Sequence, residues 1–496
     1  MGEGRLAAST PVPRPQVVPS MNQPTEQKFA LPTLTAMVVG SMVGAGIFSL
    51  PQTFGRVTGG LGALIAWAIA GGGMLMLAFV FQTLARRKPE LDAGVFAYAK
   101  AGFGNYPGFL SALGYWTVCC LGNVSYWVLI KSTLGALFPV FGDGNTVAAV
   151  AVSSIGVWIV HFLILRGVRQ AAFINTVVTV AKIIPILIFL VFVGFGFKAD
   201  IFALNFHGGP GLEAEGLFAQ VRGTMLVTVF VFVGIEGASV YSRYARKRSD
   251  VGLATLLGFL GVLCLLVLVT MLSYGVLLRP ELAELRNPSM AGVLRAVVGP
   301  WGAVFISVGL IVSVLGAYLS WSLLAAEVLF SAAKMESMPA FLAAENRNKV
   351  PFAALWLTNI LIQLFLVLTL FAEQAFLLAL KLTSSMILLP YLLTAAYALK
   401  LAWSGEGYEP QARGPRGDIV RAALATVYAL GLIYAGGLKF LLLSLVIYAP
   451  GTVLFLVTQK ERGQRIFTPA ELVLFGIVAA GAVLALYGLA TGRISV

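Results

Sequence analysis

Apolar residues in this chain come in long unbroken runs, separated by short segments that carry glycine, proline and charge. About 20 mostly apolar residues make one helical crossing of a bilayer. Lipid offers the backbone no hydrogen-bond partner, so such a run must satisfy itself as a helix. Thirteen runs of this kind can be marked, at about 31–52, 60–85, 106–136, 145–165, 171–197, 219–243, 252–279, 300–331, 352–372, 376–400, 419–436, 438–457 and 469–490. Runs eleven and twelve meet at Gly436-Gly437, which predicts a tight hairpin. The pattern predicts an all-α polytopic membrane protein with about 13 transmembrane helices.

Composition agrees with this reading. Of the 496 residues, 59% are hydrophobic and only 11% charged, and the mean hydropathy is +0.90. A soluble globule carries about a quarter charged residues, so lipid must cover most of this surface. The net charge of +13 would suggest nucleic acid on a soluble protein. Here its placement gives another cause. With the N-terminus inside, the inner segments hold 23 of the 34 lysines and arginines, which is the inside-positive bias of membrane proteins. The C-terminus, Arg493 to Val496, then lies outside. Residues 1–28 hold five prolines and no apolar core, so they read as a disordered cytoplasmic tail and not as a signal peptide. Cys119, Cys120 and Cys264 all fall inside apolar runs, as small packing residues do.

Two runs carry their own interruption. The first contains Gly40-Ser41-Met42-Val43-Gly44-Ala45-Gly46-Ile47-Phe48, and the sixth contains Gly234-Ile235-Glu236-Gly237-Ala238-Ser239. Glycine weakens a helix by about 1 kcal/mol each. Irregular backbone at membrane depth must line a cavity or be buried in protein. Its freed N–H groups suit an anion and its freed carbonyls a cation, and an α-amino acid offers both. Gly40 and Gly44 also have the small-xxx-small spacing of close helix packing. A matching break in the sixth run, however, is what an inverted repeat of five plus five helices predicts.

Ionisable groups inside the runs sharpen the reading. Glu236 sits at mid-membrane, where a carboxyl group is costly and marks function by default. Burial disfavours its charged form, which makes it a candidate proton holder. Lys182, deep in the fifth run, is a candidate fixed positive charge. Glu327, in the inner third of the eighth run, has the blander reading of an ion pair with a nearby base. Tyr115, Trp116, Phe230 and Trp321 lie at mid-span depth, where aromatic faces can hold an ammonium or guanidinium group. The outer loop at about 198–218, with His207-Gly208-Gly209-Pro210-Gly211, reads as turns. The chain has no GxSxG, no GxxxxGK and no His/Asp/Glu cluster with metal spacing, and its two histidines, His161 and His207, are far apart. No enzyme chemistry, cofactor or metal is expected.

Gly44-Ala45-Gly46-Ile47-Phe48 followed by Leu50-Pro51 resembles the first-helix signature of the amino acid–polyamine–organocation transporters. Gly234 through Ser239 resembles their sixth-helix signature. Pro89 through Lys100, with Ala93-Gly94 and Tyr98, is similar to their loop after helix two. Within that superfamily the chain resembles the basic amino acid/polyamine antiporters, most closely the arginine/ornithine antiporters, and a thirteenth helix fits that subgroup. The resemblance covers about 28–460. It implies a five-plus-five inverted-repeat core at 29–405 with discontinuous helices 1 and 6, followed by accessory helices 11–13 at 406–496. It implies that the backbone at Gly44, Ala45 and Gly46 receives the substrate carboxylate and amine. By similarity to the arginine/agmatine antiporter, Phe230 would stack on the substrate, and Tyr115 and Glu236 would close the inner side. Trp321 would line the pocket, Asn123 would contact the substrate, and Ser384 and Ser385 would offer hydroxyls. Lys182 resembles a lysine that takes the sodium position in a proton-coupled relative. That antiporter has serine in place of Ala45 and tryptophan in place of Phe230, which puts agmatine selectivity in doubt.

The expected function is exchange of arginine against ornithine in the cytoplasmic membrane by alternating access. The rivals are a proton-coupled symporter for lysine or a neutral amino acid, and a nutrient sensor that binds without transport. The expected partners are arginine, ornithine and lysine as substrates, and membrane lipid, with no nucleic acid. A homodimer stays open.

Overall fold

The computed structural model describes residues 30–91, 94–167, 171–209, 216–236, 248–372, 374–406 and 416–494. Seventeen α-helices follow one another through these residues, and no strand occurs among them. They are α1 (Leu31–Met42), α2 (Leu50–Gly55), α3 (Gly60–Arg87), α4 (Val95–Phe103), α5 (Asn105–Gly135) and α6 (Val147–Leu165). Next come α7 (Ala171–Phe195), α8 (Ala199–Phe206), α9 (Leu217–Phe232), α10 (Arg248–Ser273), α11 (Arg279–Glu284) and α12 (Ser289–Val298). The last are α13 (Pro300–Lys334), α14 (Phe352–Leu368), α15 (Ala375–Ser404), α16 (Arg416–Glu461) and α17 (Pro469–Ala490). Nine are long and apolar enough to cross a membrane, and eleven spans result if the bent pairs α1–α2 and α7–α8 each count once. The protein is an all-helical, multi-pass membrane protein.

Each apolar run meets helix in the structure. The first run is broken, with a bend of 51° between α1 and the segment Ala45–Gly55. A 3₁₀ turn over Ala45–Ser49 joins the two parts. Runs eleven and twelve form one 46-residue element, but Gly437 (φ 75°, ψ 167°) interrupts it at the expected hairpin. Where the expectations fall short, the missed structure is short and outside the runs. The loop at 198–218 holds α8, turned by 100° from α7. The segment after run two holds α4, and the link between runs seven and eight holds α11 and α12. Pro210, Gly211 and Ala93 lie outside the described residues, as do 1–29 and Gly237-Ala238-Ser239.

Aromatic and polar contacts sort the helices into two groups. Phe54 of α2 stacks on Trp67 of α3 at 5.1 Å, Trp67 meets Phe232 of α9 at 6.1 Å, and Phe232 meets Phe259 of α10 at 5.2 Å. Offset and edge-on rings at these spacings add to the area they bury. One ring row therefore ties both broken runs to runs two and seven. The second group is tied by hydrogen bonds inside the bilayer, where an unpaired polar group is costly. Trp116 Nε1 of α5 donates to Thr358 Oγ1 of α14 (2.9 Å). Tyr318 of α13 donates to Asn359 Oδ1 of α14 (3.3 Å), and Asn359 Nδ2 lies 3.0 Å from His161 Nδ1 of α6. Helix α5 is buried over most of its length and stands at the centre.

The thirteenth run packs on this core at its N-terminal end. Glu471, in the first turn of α17, accepts from the backbone N–H of Tyr106 at the start of α5 (2.8 Å). Phe467 and Phe475 both pack against the Tyr106 ring, at 5.3 and 6.3 Å. Of the cysteines, Cys119 and Cys120 are buried packing groups, while Cys264 is exposed on the outer face of α10. Glu327 is exposed and accepts from Ser331 one turn later. No ion pair to it occurs among the described residues.

Candidate functional site

The two interruptions touch. Helix α1 stops at Met42 and α9 stops at Phe232, each at mid-depth in its run. Ser41 Oγ donates to the carbonyl of Gly234 (3.0 Å) and also to Val38 O (2.8 Å). Gly234 has φ +109°, a conformation that side chains disfavour. A Cβ there would lie 2.4 Å from Ser41 O, so only glycine allows this approach. On the other strand of the contact, a Cβ on Gly46 would lie 2.6 Å from Val231 Cγ1 and 2.8 Å from Phe230 Cδ1.

A cavity opens beside this contact. Its walls are Ser41 to Ile47, Val118, Gly122 and Tyr126 of α5, Phe230, Val231 and Val233, Leu266 of α10, Trp321 of α13 and Thr383 of α15. About 440 Å³ of space between atoms, open solvent included, falls within these walls. The part wide enough for a water molecule is only about 20 Å³, so the walls stand close together. The first amide groups of a helix have no partner within it, which leaves those of Gly44, Ala45 and Gly46 at the cavity wall. Phe230, Trp321 and Tyr126 bring three aromatic rings to the same space. The walls thus offer N–H groups for a carboxylate and ring faces for a cation.

Freed carbonyls at the break also find a partner. The last carbonyls of a helix are unpaired within it. Lys182 Nζ of α7, almost wholly buried, donates to Gly40 O at 3.0 Å. A cation at a helix C-terminus is favourable. The lysine therefore sits on the carbonyl face of the break, opposite in chemistry to the amide groups of Gly44–Gly46. Replacing Lys182 by methionine leaves the Gly40 carbonyl unpaired. A hydrogen bond to a charged group is worth about 1.5–3 kcal/mol, so labelled-substrate exchange should fall at least about tenfold, with lysine-to-arginine keeping part of it.

Glu236 lies at the other end of the contact and is buried. Its Oε1 accepts from Tyr115 OH of α5 (2.8 Å). Its Oε2 accepts from Tyr391 OH of α15 (2.6 Å) and from the backbone N–H of Gly234 (3.1 Å). One carboxyl group therefore ties α5, α15 and the turn after α9.

Gly44, Ala45, Gly46, Phe230 and Trp321 come together in the cavity wall. Tyr115 and Glu236 pair with each other, and Lys182 sits on the break. The remaining candidates are turned elsewhere. Ser384 donates to Leu226 O (2.6 Å) and Leu380 O (3.0 Å), and Ser385 donates to Phe440 O (3.1 Å). Both hydroxyls hold helices together, and their neighbour Thr383 lines the cavity in their place. Asn123 does not line the cavity but follows Gly122, which does. Its Nδ2 donates to Ser322 Oγ (3.2 Å), and its Oδ1 has no partner among the described residues. Trp116 points to Thr358 and away from the cavity.

Tyr126, Thr383 and Tyr391 were not anticipated. A signal existed for the first. On a helix, positions four apart share a face, so Tyr126 and Val118 must flank Gly122. Tyr391 likewise stands two turns from Thr383 on α15.

The amino acid permease family matches residues 29–486. The chain belongs to that family. It is 56% identical to the arginine/ornithine antiporter of Pseudomonas aeruginosa over 478 residues, covering 95% of this chain and 99% of the relative. It is 43% identical to the L-lysine transport protein of Corynebacterium glutamicum, over 95% of this chain and 97% of the relative. It is 39% identical to the arginine/agmatine antiporter of Chlamydia pneumoniae, over 93% and 97%. As a permease, the chain is a transporter and not an enzyme.

If this cavity holds the permease's substrate, Gly122 gives a clean test. No atom lies within 4 Å of a Cβ placed there, and alanine is the better helix former by about 1 kcal/mol. Gly122→Ala should leave unfolding unchanged or slightly delayed, and raise the KM for the substrate several-fold as the methyl takes up pocket space. An unchanged KM would move the substrate elsewhere.

Proposed function

We propose that this permease exchanges arginine for ornithine across the cytoplasmic membrane by alternating access. The observation that carries the proposal is the cavity at the contact of the two breaks. It puts free amide groups beside Phe230, Trp321 and Tyr126, with the Glu236 carboxyl group at the other end of the same contact. The amide groups receive the substrate carboxylate, and the rings hold its cationic end. The choice of arginine and ornithine rests on the relative from Pseudomonas aeruginosa, whose name states that pair. Matching breaks in runs one and six support a core of five plus five helices at 29–405, with the helices of 406–496 as additions. The placement of lysine and arginine supports an inner N-terminus and an outer C-terminus.

In this cycle the Tyr115–Glu236–Tyr391 bonds close the inner side. They must open for substrate to leave inward, and they re-form as the carrier turns outward. Exchange needs no ion gradient if the empty carrier turns slowly and bound substrate lowers that barrier.

Uptake of labelled arginine into proteoliposomes tests this. Uptake should be fast into vesicles preloaded with ornithine and near background into empty ones, with no gradient imposed. A second reading, a proton-coupled symporter for lysine, is favoured by Lys182 on the Gly40 carbonyl and by the lysine-transporting relative. In that case empty vesicles accumulate substrate, and an inward proton gradient increases it.

A further inference from the structure

Eleven of the 34 lysines and arginines fall outside the inner segments, where the inside-positive bias leaves few expected. Four of the eleven gather where α2, α9 and α15 meet the hairpin of α16. Lys439 follows the Gly437 break, and its Nζ lies 5.6 Å from the centre of the Phe440 ring. Lys381 of α15 approaches the same ring at 5.7 Å. Arg222 of α9 lies over Tyr434 at 5.1 Å, and its Nη2 is 3.5 Å from where a Cβ on Gly437 would be. Arg56 at the end of α2 binds neutral groups, Ala283 O (3.0 Å) and Gln374 Oε1 (2.8 Å).

No ion pair to any of the four occurs among the described residues; Glu373 lies outside them. Like charges gathered this way repel, and an anion seated among them removes the repulsion. Phosphate oxygens suit lysine and arginine donors in particular. The neighbouring rings fix the depth. Tyr434 is 63% exposed, and exposed aromatic residues of membrane helices sit at the level of the lipid headgroups.

We propose that Arg222, Lys381 and Lys439 form an outer-face binding site for a phosphate-bearing anion, of the kind an anionic lipid headgroup presents. The site lies apart from the cavity at the breaks and does not depend on which substrates are exchanged. An anion there would bridge α9, which carries Phe230, and α15, which carries Thr383, to the hairpin of α16.

The test uses the full-length protein in detergent, titrated with dioctanoyl phosphatidylglycerol, dioctanoyl phosphatidylcholine or inorganic phosphate, and read by thermal unfolding and native mass spectrometry. The variant is Arg222→Gln, Lys381→Gln, Lys439→Gln, and the control neutralises the inner residues Arg347, Lys349 and Lys460. Phosphatidylglycerol should bind and raise the unfolding temperature of the wild type and the control. In the triple variant its affinity should fall more than about tenfold, since one basic residue at an anionic surface is worth about fivefold. Phosphatidylcholine, whose charge is balanced, should have little effect. If inorganic phosphate protects the wild type and not the variant, the site stands and its ligand is a soluble anion. Equal phosphatidylglycerol and phosphate responses in wild type and variant would overturn the proposal. Should the triple variant not fold, Lys439→Gln alone, at the hairpin surface, should still lose about fivefold, and no loss there overturns it equally.

Discussion

Glu236→Gln should lower arginine/ornithine exchange at least about tenfold while the protein still folds. The carboxylate accepts three donors, Tyr115 OH, Tyr391 OH and the Gly234 N–H. An amide keeps one oxygen and turns the other acceptor into a donor. If the NH₂ faced Gly234, donor would meet donor in a buried turn. The side chain should therefore turn its oxygen to Gly234 and Tyr391, and its NH₂ to Tyr115, whose hydroxyl can rotate to accept. Each oxygen and nitrogen of the cluster then keeps at least one partner, so unfolding should stay near the wild-type temperature. What is lost is the charge. Bonds to an ionised group are worth about 1.5–3 kcal/mol against about 0.5–1.5 for neutral ones, and about 1.4 kcal/mol is a factor of ten in rate. Tyr115→Phe removes one donor and keeps the carboxylate, so its effect should be smaller. Proteoliposome exchange beside thermal unfolding separates the outcomes. Wild-type exchange in the glutamine variant would reduce Glu236 to a structural acceptor.

The helices and the breaks were legible, and the side-chain partners mostly were not, for one physical reason. Lipid dictates that each apolar run close its own hydrogen bonds, so the runs read directly as helices. Gly44 and Gly234 read as interruptions because glycine in a run can only weaken it. The short helices α4, α8, α11 and α12 lie outside the runs, where no such constraint acts. Inside lipid both faces of a helix are apolar, so the 3.6-residue period that marks an inward face in a soluble protein is missing. Ser384 and Thr383 differ by one position, about 100° around the axis, and nothing in the apolar pattern of α15 says which of them meets the cavity. The same holds for Asn123 beside Gly122. The ionisable groups were easier, because Glu236 and Lys182 cannot sit in lipid unpaired, and each does lie at a break.

The larger effect on folding should come from Gly234→Ala. The backbone there has φ +109°, and holding a side chain in so sparse a region costs about 1–3 kcal/mol. The added methyl would also stand 2.4 Å from Ser41 O and 2.9 Å from Ser41 C. Those are backbone atoms in the last turn of α1, fixed by the Ser41 hydroxyl on Gly234 O and, one residue earlier, by Lys182 on Gly40 O. They cannot swing aside as a side-chain end can, so overpacking adds about 1–3 kcal/mol more. The expected result is a loss of about 2–6 kcal/mol of stability, with a lower unfolding temperature and no measurable exchange. Gly46→Ala makes the comparison specific. Its Cβ would meet the buried Val231 and Phe230 side chains and not backbone, so unfolding should fall, but by less than in Gly234→Ala. Because those side chains line the cavity, exchange should still fall. The two variants thus separate the contact that holds the breaks together from the wall that holds the substrate. If Gly234→Ala unfolds and exchanges as the wild type does, the touching of α1 and the turn after α9 is not required for either.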